Sequence, residues 1–307
     1  MDILDWLAVI AVLILIGRAL EKEIFFYEGA HLGPRVQAWL YDRWSKNYDA
    51  GKGESQLRDD EMLAQPLLDA TRGVPEPFIL DFATGTGRLS YALMSRPDFN
   101  GRIIALDLSQ GMLEQAVKKL SRVEQSRRHG RNADEQGDAS SSGQENAAPP
   151  LGEGNVQFLR HQSLPLPFPD ASFDVVCALE VLELFPNMDE PLAEFTRVLR
   201  EGGVLLTTRG TEASGRAGKV KSVLEFADLL TKNDFETIQI SPWWKLFDRV
   251  IAVKNGTSKP VERHKLEDVL HCPSCKQIQW GRTENGMRCG NCANHLSVTW
   301  EGIILNT

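Results

Sequence analysis

The spacing of apolar residues changes several times along this chain, and each change marks an element. Residues 3–20 are almost wholly apolar, with an unbroken run of 12 residues from Trp6 to Gly17. Counted from Ile3 to Leu20 the segment makes about 27 Å of helix, close to the hydrocarbon thickness of a bilayer. Between 36 and 70 the apolar residues Val36, Trp39, Leu40 and Trp44, then Leu63, Leu67 and Leu68, recur at helical spacing, so their aromatics are expected in a core. The pattern then shortens. Phe78–Leu80, Arg102–Leu106 and Val156–Arg160 read as strands, Leu89–Met94 as a helix, and Pro191–Arg200 as an amphipathic helix with Leu192, Phe195, Val198 and Leu199 inward.

Two compositional breaks divide the chain. Residues 121–155 hold Arg127, Arg128 and Arg131, then a Ser, Gly, Gln, Asn, Ala and Pro tract with almost no large apolar residue. Such a segment cannot bury enough surface to offset its ordering entropy, and it reads as a disordered insertion. Asn255–Lys259 is polar and reads as a linker. The expected organisation is a hydrophobic helix (1–22), a helical cap (23–72), a ligand-binding domain (73–254), a linker (255–265) and a small cysteine-rich unit (266–307).

Charge narrows the possible partners. A net charge of −8 and a pI near 5.4 argue against a general nucleic-acid binder. Four of the five cysteines lie between Cys272 and Cys292, and Cys177 sits alone in an apolar run as a small core residue. That distribution does not suggest a secreted disulfide framework.

The chemistry concentrates after the first strand. Phe78-Ile79-Leu80-Asp81-Phe82-Ala83-Thr84-Gly85-Thr86-Gly87-Arg88-Leu89-Ser90 is a strand, a tight glycine turn and a helix start. Glycine permits positive φ and lets a ligand approach the backbone, while the helix N–H groups face whatever negative group the ligand offers. A second strand closes on Asp107, 20 residues past Gly87, where a nucleotide fold places the carboxylate that accepts both ribose hydroxyls. Ser109 caps the next helix, and Leu108 and Met112 are placed to lie on an adenine face. Asp-x-x-x-Gly-x-Gly, with Ser90 where the dinucleotide fingerprint wants a third glycine, resembles motif I of the class I S-adenosylmethionine (SAM) methyltransferases.

Three further stretches carry the same resemblance, to type 11 and quinone-biosynthesis methyltransferases. His161-Gln162-Ser163-Leu164-Pro165-Leu166-Pro167-Phe168-Pro169-Asp170-Ala171-Ser172-Phe173-Asp174 resembles the segment covering the adenine, although the family's acid is Gln162 here. An amide oxygen accepts the same hydrogen bond without charge. Phe173–Asn187 resembles strand four and its exit loop, with Glu180 placed as a general base or acceptor-orienting residue, or as an ordinary carboxylate. Leu199–Thr208 resembles the helix end, Gly-Gly turn and fifth strand, and Tyr41–Asp49 resembles the segment that covers the methionine end of SAM and the acceptor pocket, with Tyr48 either facing it or packing in the core. Lys221–Lys232 reads as a helix, and Phe235–Ile240 with Phe247–Lys254 as the antiparallel pair closing such sheets. Trp243 and Trp244 either touch an apolar substrate or pack.

The resemblance implies a Rossmann-like α/β fold with a seven-stranded, mostly parallel sheet and helices on both faces. It implies a SAM-dependent methyltransferase, with Asp81 at the methionine amino end, Ala83, Gly85, Thr86 and Gly87 forming the cofactor turn, Asp107 on the ribose, and Gln162 and Ser163 on the adenine edge.

In the tail, Cys272-Pro273-Ser274-Cys275 and Cys289-Gly290-Asn291-Cys292 are two knuckles 13 residues apart. That spacing points to a zinc ribbon, with four thiolates completing a closed, structural tetrahedron around Zn2+. His271 and His295 are read as bystanders. At the other end, Asp2 and Asp5 precede the apolar run and Arg18, Lys22 and Arg35 follow it, which puts the bulk of the chain on the cytoplasmic side of a membrane. The absence of a basic leader and cleavage site argues against a removed signal peptide. The helix fits a transmembrane span, an interfacial anchor or a helix buried in an oligomer. The expected enzyme is membrane-attached and takes a small or lipid-like acceptor. Two alternatives stay open: a non-catalytic SAM-fold scaffold, and an RNA or protein methyltransferase whose ribbon recruits a protein partner.

Overall fold

The computed structural model describes residues 3–135, 154–214 and 220–306. The chain opens with α1 (Ile3–Phe25) and α2 (Pro34–Trp44), the latter started by a proline whose fixed φ suits a first helical turn. Short turns, α3 (Gly53–Gln56), a π-helical turn (Asp60–Ala64) and α4 (Gln65–Ala70) lead to the sheet. Then β1 (Phe78–Phe82), α5 (Arg88–Met94), β2 (Arg102–Asp107), α6 (Gln110–Glu135), β3 (Val156–His161) and β4 (Phe173–Ala178) follow in strict alternation until the last pair. They are followed by α7 (Asp189–Val198), β5 (Leu199–Gly210), α8 (Val223–Lys232), β6 (Phe235–Trp244) and β7 (Phe247–Lys254). The tail makes a three-stranded sheet of β8 (Trp280–Thr283), β9 (Gly286–Cys289) and β10 (His295–Ser297), and ends in β11 (Ile303–Asn306).

The main sheet runs β11-β3-β2-β1-β4-β5-β7-β6, parallel except at β7, which is antiparallel to both neighbours. Its strands are apolar on both faces because helices cover both. Phe78 and Leu80 belong to one core cluster and Ile79, between them, to the other. The strand order reverses between β1 and β4, so a crevice opens at the carboxyl ends of these strands.

Four expectations are corrected. The sheet has eight strands because β11, an apolar stretch of the tail, pairs along β3 from Ile303↔Phe158 to Asn306↔His161. The cysteine-rich unit is therefore built into the main sheet. Within the expected insertion, residues 121–135 continue α6, since straight-chain Arg, Glu and Gln favour helix and Val123 packs inward; residues 136–153 lie outside the described ones. On α2 the buried residues are Ala38 and Leu40, whereas Val36 is exposed and Trp39 is 60% exposed. Finally, no described helix is long and apolar enough to cross a membrane. Asp5 and Arg18 bracket the apolar run, and 12 residues give only about 18 Å against roughly 30 Å of hydrocarbon.

Candidate active site

The crevice holds a cavity of about 400 Å³ between the sheet and the segment of residues 30–56. Asp81, Ala83, Gly85 and Thr86 line it from the β1 turn, and Asp107, Leu108 and Met112 from the end of β2. Gln162 and Ser163 line it from the exit of β3, Glu180 from β4, and Tyr48 from the cap. Of the predicted residues around this site, Gly87 alone does not border the cavity. Its φ of 75° starts α5, and a Cβ there would meet Ala116 Cβ at 3.1 Å and Leu120 Cδ1 at 3.2 Å, so its glycine serves helix packing. Gly85 is different. At φ 56° it faces open space, with nothing within 4 Å of a built Cβ.

Hydrogen bonds hold the turn rigid. Asp81 Oδ2 accepts from the hydroxyls of Thr84 and Ser90, each at 2.6 Å. Burial pushes its carboxyl up, and these two hydroxyls partly offset that. Asp107 accepts from the amides of Gly85 and Ser109, each at 2.8 Å. Burial pushes this carboxyl up to about 6, against the pull of the Ser109 and Gly85 amides. Each of its oxygens keeps a second lone pair for a ligand hydroxyl.

The cap is fastened by charged groups that no local pattern announced. Asp42 Oδ1 accepts from the Ser109 hydroxyl at 2.6 Å and the Gly111 amide at 2.8 Å, capping α6 from outside. Asp49 accepts from Thr86 Oγ1 at 2.6 Å and pairs with Lys119 at 2.6 Å. Burial would raise Asp49, but Lys119 and Thr86 hold it below its usual value. Asp59 takes both Nε and Nη2 of Arg88, at 2.5 and 2.7 Å. Glu180, itself at φ 54° with its amide on Thr208 Oγ1, binds Lys52 at 2.5 Å and Arg88 at 3.1 Å. Both Glu180 oxygens are thus occupied by cations. Trp243 is buried beneath the Arg88 guanidinium, 4.5 Å from the ring centre, and neither it nor Trp244 lines the cavity.

In the C-terminal tail, the Sγ atoms of Cys272, Cys275, Cys289 and Cys292 lie within 4.8 Å of one another. The Cys272–Cys292 and Cys275–Cys289 separations are 3.5 and 3.6 Å. A tetrahedron with Zn–S bonds of 2.3 Å has edges of about 3.8 Å, so the four thiols fit Zn2+. His271 and His295 contribute no atom to the cluster.

Known proteins resemble this chain. A methyltransferase-domain family model of type 11 matches residues 80–207. A demethylmenaquinone methyltransferase of Lactobacillus johnsonii is 30% identical over 245 residues, covering 78% of this chain and 84% of that protein. An uncharacterised chloroplastic methyltransferase of Arabidopsis thaliana is 25% identical over 250 residues, 81% of this chain but only 56% of its own length. The structure of a SAM-dependent methyltransferase of Methanococcus maripaludis covers 71% of this chain and 94% of its own at 17% identity, with a TM-score of 0.48. The chain belongs to the class I SAM-dependent methyltransferases, in the type 11 family that includes the demethylmenaquinone enzymes. By family it is a SAM-dependent methyltransferase.

SAM suits the cavity on three grounds. The volume is that of a cofactor-sized site, the Gly85 backbone is open to a ligand, and a carboxylate stands at the end of each of the first two strands.

Proposed function

We propose that this methyltransferase acts on a lipid-like acceptor, of the quinone or isoprenoid type, drawn from a membrane surface to which α1 attaches it. The carrying observation is that one cavity combines the polar strand ends with an apolar wall of Phe82, Leu179, Val181, Leu184 and Phe185, and that Pro34, at its exposed rim, follows α1 by nine residues. All described side chains from Asp5 to Lys22 are exposed, Leu13 and Leu15 by more than 60%. A helix apolar around its whole circumference suits insertion among lipid acyl chains better than a protein groove, which would cover one face. Exposed Leu32, Val36 and Trp39 extend that surface along the chain toward the cavity. The names of the quinone-pathway relatives point the same way.

In this reading the Gly85 turn and Thr86 approach the cofactor backbone-first, and Asp81 takes the methionine amino group directly or through water. Asp107 takes the ribose, Gln162 and Ser163 the adenine edge, Leu108 and Met112 its face, and Tyr48 closes the methionine end. SAM supplies an activated methyl group. The chain's work is to align an acceptor with it and exclude water. Because Glu180 is engaged by Lys52 and Arg88, orienting the cap and acceptor fits it better than proton abstraction. Incubation with methyl-labelled SAM and a membrane lipid extract tests the proposal. Label is expected in the organic phase, and label found only in water-soluble products overturns it.

A further inference from the structure

The cysteine-rich unit grips the same strand and loop that form one wall of the cavity. Its strand β11 pairs with β3, and the last pair, Asn306↔His161, lies at the cavity edge, since His161, Gln162 and Ser163 all line it. There the His161 ring meets the Asn306 carbonyl at 3.2 Å and the Asn306 side-chain amide at 3.3 Å. A second contact holds the other end of the loop. The amide of His271, the residue before the ligand Cys272, donates to the Pro167 carbonyl at 2.8 Å. Near the start of β3, Gln157 Oε1 accepts from the Leu266 amide at 2.8 Å. Leu266, Val269, Leu270, Met287 and Leu296 join the same core cluster as Leu159, Leu166 and Phe168.

We infer that the metal-loaded four-cysteine unit is the positioning element for the 161–167 wall, so that metal occupancy sets the affinity for SAM. The inference rests on reading the cavity as the SAM site. Its physical basis is the smallness of the unit. About 40 residues rarely hold a core without a metal or disulfide, and these cysteines are free. Without metal the two knuckles lose their common anchor, and Cys272 is one residue from the bond to Pro167. β9, which carries Cys289, pairs through β10 toward β11, where Val298 bridges Ile304. Release of β11 leaves β3 as an unpaired sheet edge and removes the partner of His161. The wall then has to be ordered by the cofactor itself, which weakens binding.

The test compares the full chain loaded with Zn2+, stripped by a chelator, and reloaded, using titration calorimetry with SAM and amide hydrogen exchange. Stripping is expected to raise the SAM Kd about tenfold, in the range usual for coupled sites. Residues 156–164 should lose exchange protection, and added Zn2+ should restore both. An Asn306→Ala variant keeps all four cysteines and serves where stripping unfolds the chain. It is expected to bind Zn2+ and melt cooperatively, with a raised KM for SAM and a kcat at saturating SAM close to that of the parent. An unchanged SAM Kd in the stripped protein, or an unchanged KM in Asn306→Ala, overturns the inference while leaving the SAM site standing. A loaded protein that binds no SAM removes both.

Discussion

The backbone N–H of Gly85 donates to Asp107 Oδ2 at 2.8 Å, so the turn after β1 and the carboxylate after β2 are direct neighbours. This bond makes the site one unit, while burial makes Asp107 sensitive to pH. Its carboxyl sits near 6 because burial penalises the charge more than the Gly85 and Ser109 amides favour it. A ribose hydroxyl donates to the ionised form, so binding should expel the proton. Between about pH 7 and 8 the SAM Kd is expected to be flat, and below about 6 to rise tenfold per pH unit. The unliganded fold follows the opposite sign. A carboxyl raised above its unfolded value favours folding at low pH, and that contribution is lost as pH rises through about 6. Calorimetric titrations from pH 5 to 8 check the first, and Asp107→Asn should abolish the slope along with most of the affinity.

Gly87→Ala separates packing from binding. The position is left-handed, and a methyl group would press on Ala116 and Leu120 where α5 crosses α6. The variant should lose about 1–3 kcal/mol of stability in urea melts. Because Gly87 does not border the cavity, the folded protein should keep its SAM Kd. A large loss of affinity without loss of stability would contradict the packing role.

These two glycines show what was legible in the sequence. The strand-turn-helix, the acid ending β2 and the cysteine knuckles are short-range patterns, and each forms where its local chemistry demands it. Glycine spacing alone, however, does not say that Gly85 faces the cavity and Gly87 faces α6. Asp42, Asp49 and Asp59 were unreadable for another reason. Their partners Ser109, Lys119 and Arg88 lie 29 to 70 residues away, and nothing local distinguishes them from surface carboxylates. The Ile303-Ile304-Leu305 run did carry a strand signal, but its neighbour in the sheet is set by where the cysteine unit docks. The polar composition of 121–135 was read as disorder, although its straight-chain residues are good helix formers.

The bidentate Asp59–Arg88 pair ties the cap to α5, with side chains only 6% and 11% exposed. Asp59→Asn removes one charge of a buried pair and should cost about 3 kcal/mol in denaturant melts. Lys52→Met acts at the more exposed neighbouring pair with Glu180 and should cost less than 1 kcal/mol. Its effect is expected in a raised KM for the acceptor instead, because Lys52 and Tyr48 line the cavity with the lysine 5.0 Å from the tyrosine ring centre. Steady-state kinetics with each substrate varied in turn distinguish this from a change in SAM binding.

Removing residues 1–20 isolates the role of α1. The truncation keeps Glu23, whose carboxylate holds the His31 ring at 2.9 Å, so the start of the cap remains anchored. Every described side chain it deletes is exposed, and the melting temperature and SAM Kd should therefore match those of the full chain. Flotation with phospholipid vesicles should be lost. With the acceptor in vesicles, kcat/KM should fall by at least tenfold, as expected when surface residence no longer concentrates the enzyme near its substrate. With a short-chain, water-soluble acceptor the two forms should be equally active. Equal activity on both acceptors would mean that α1 does not bring this cavity to a lipid surface, whereas loss of activity on both would place α1 in the catalytic fold itself.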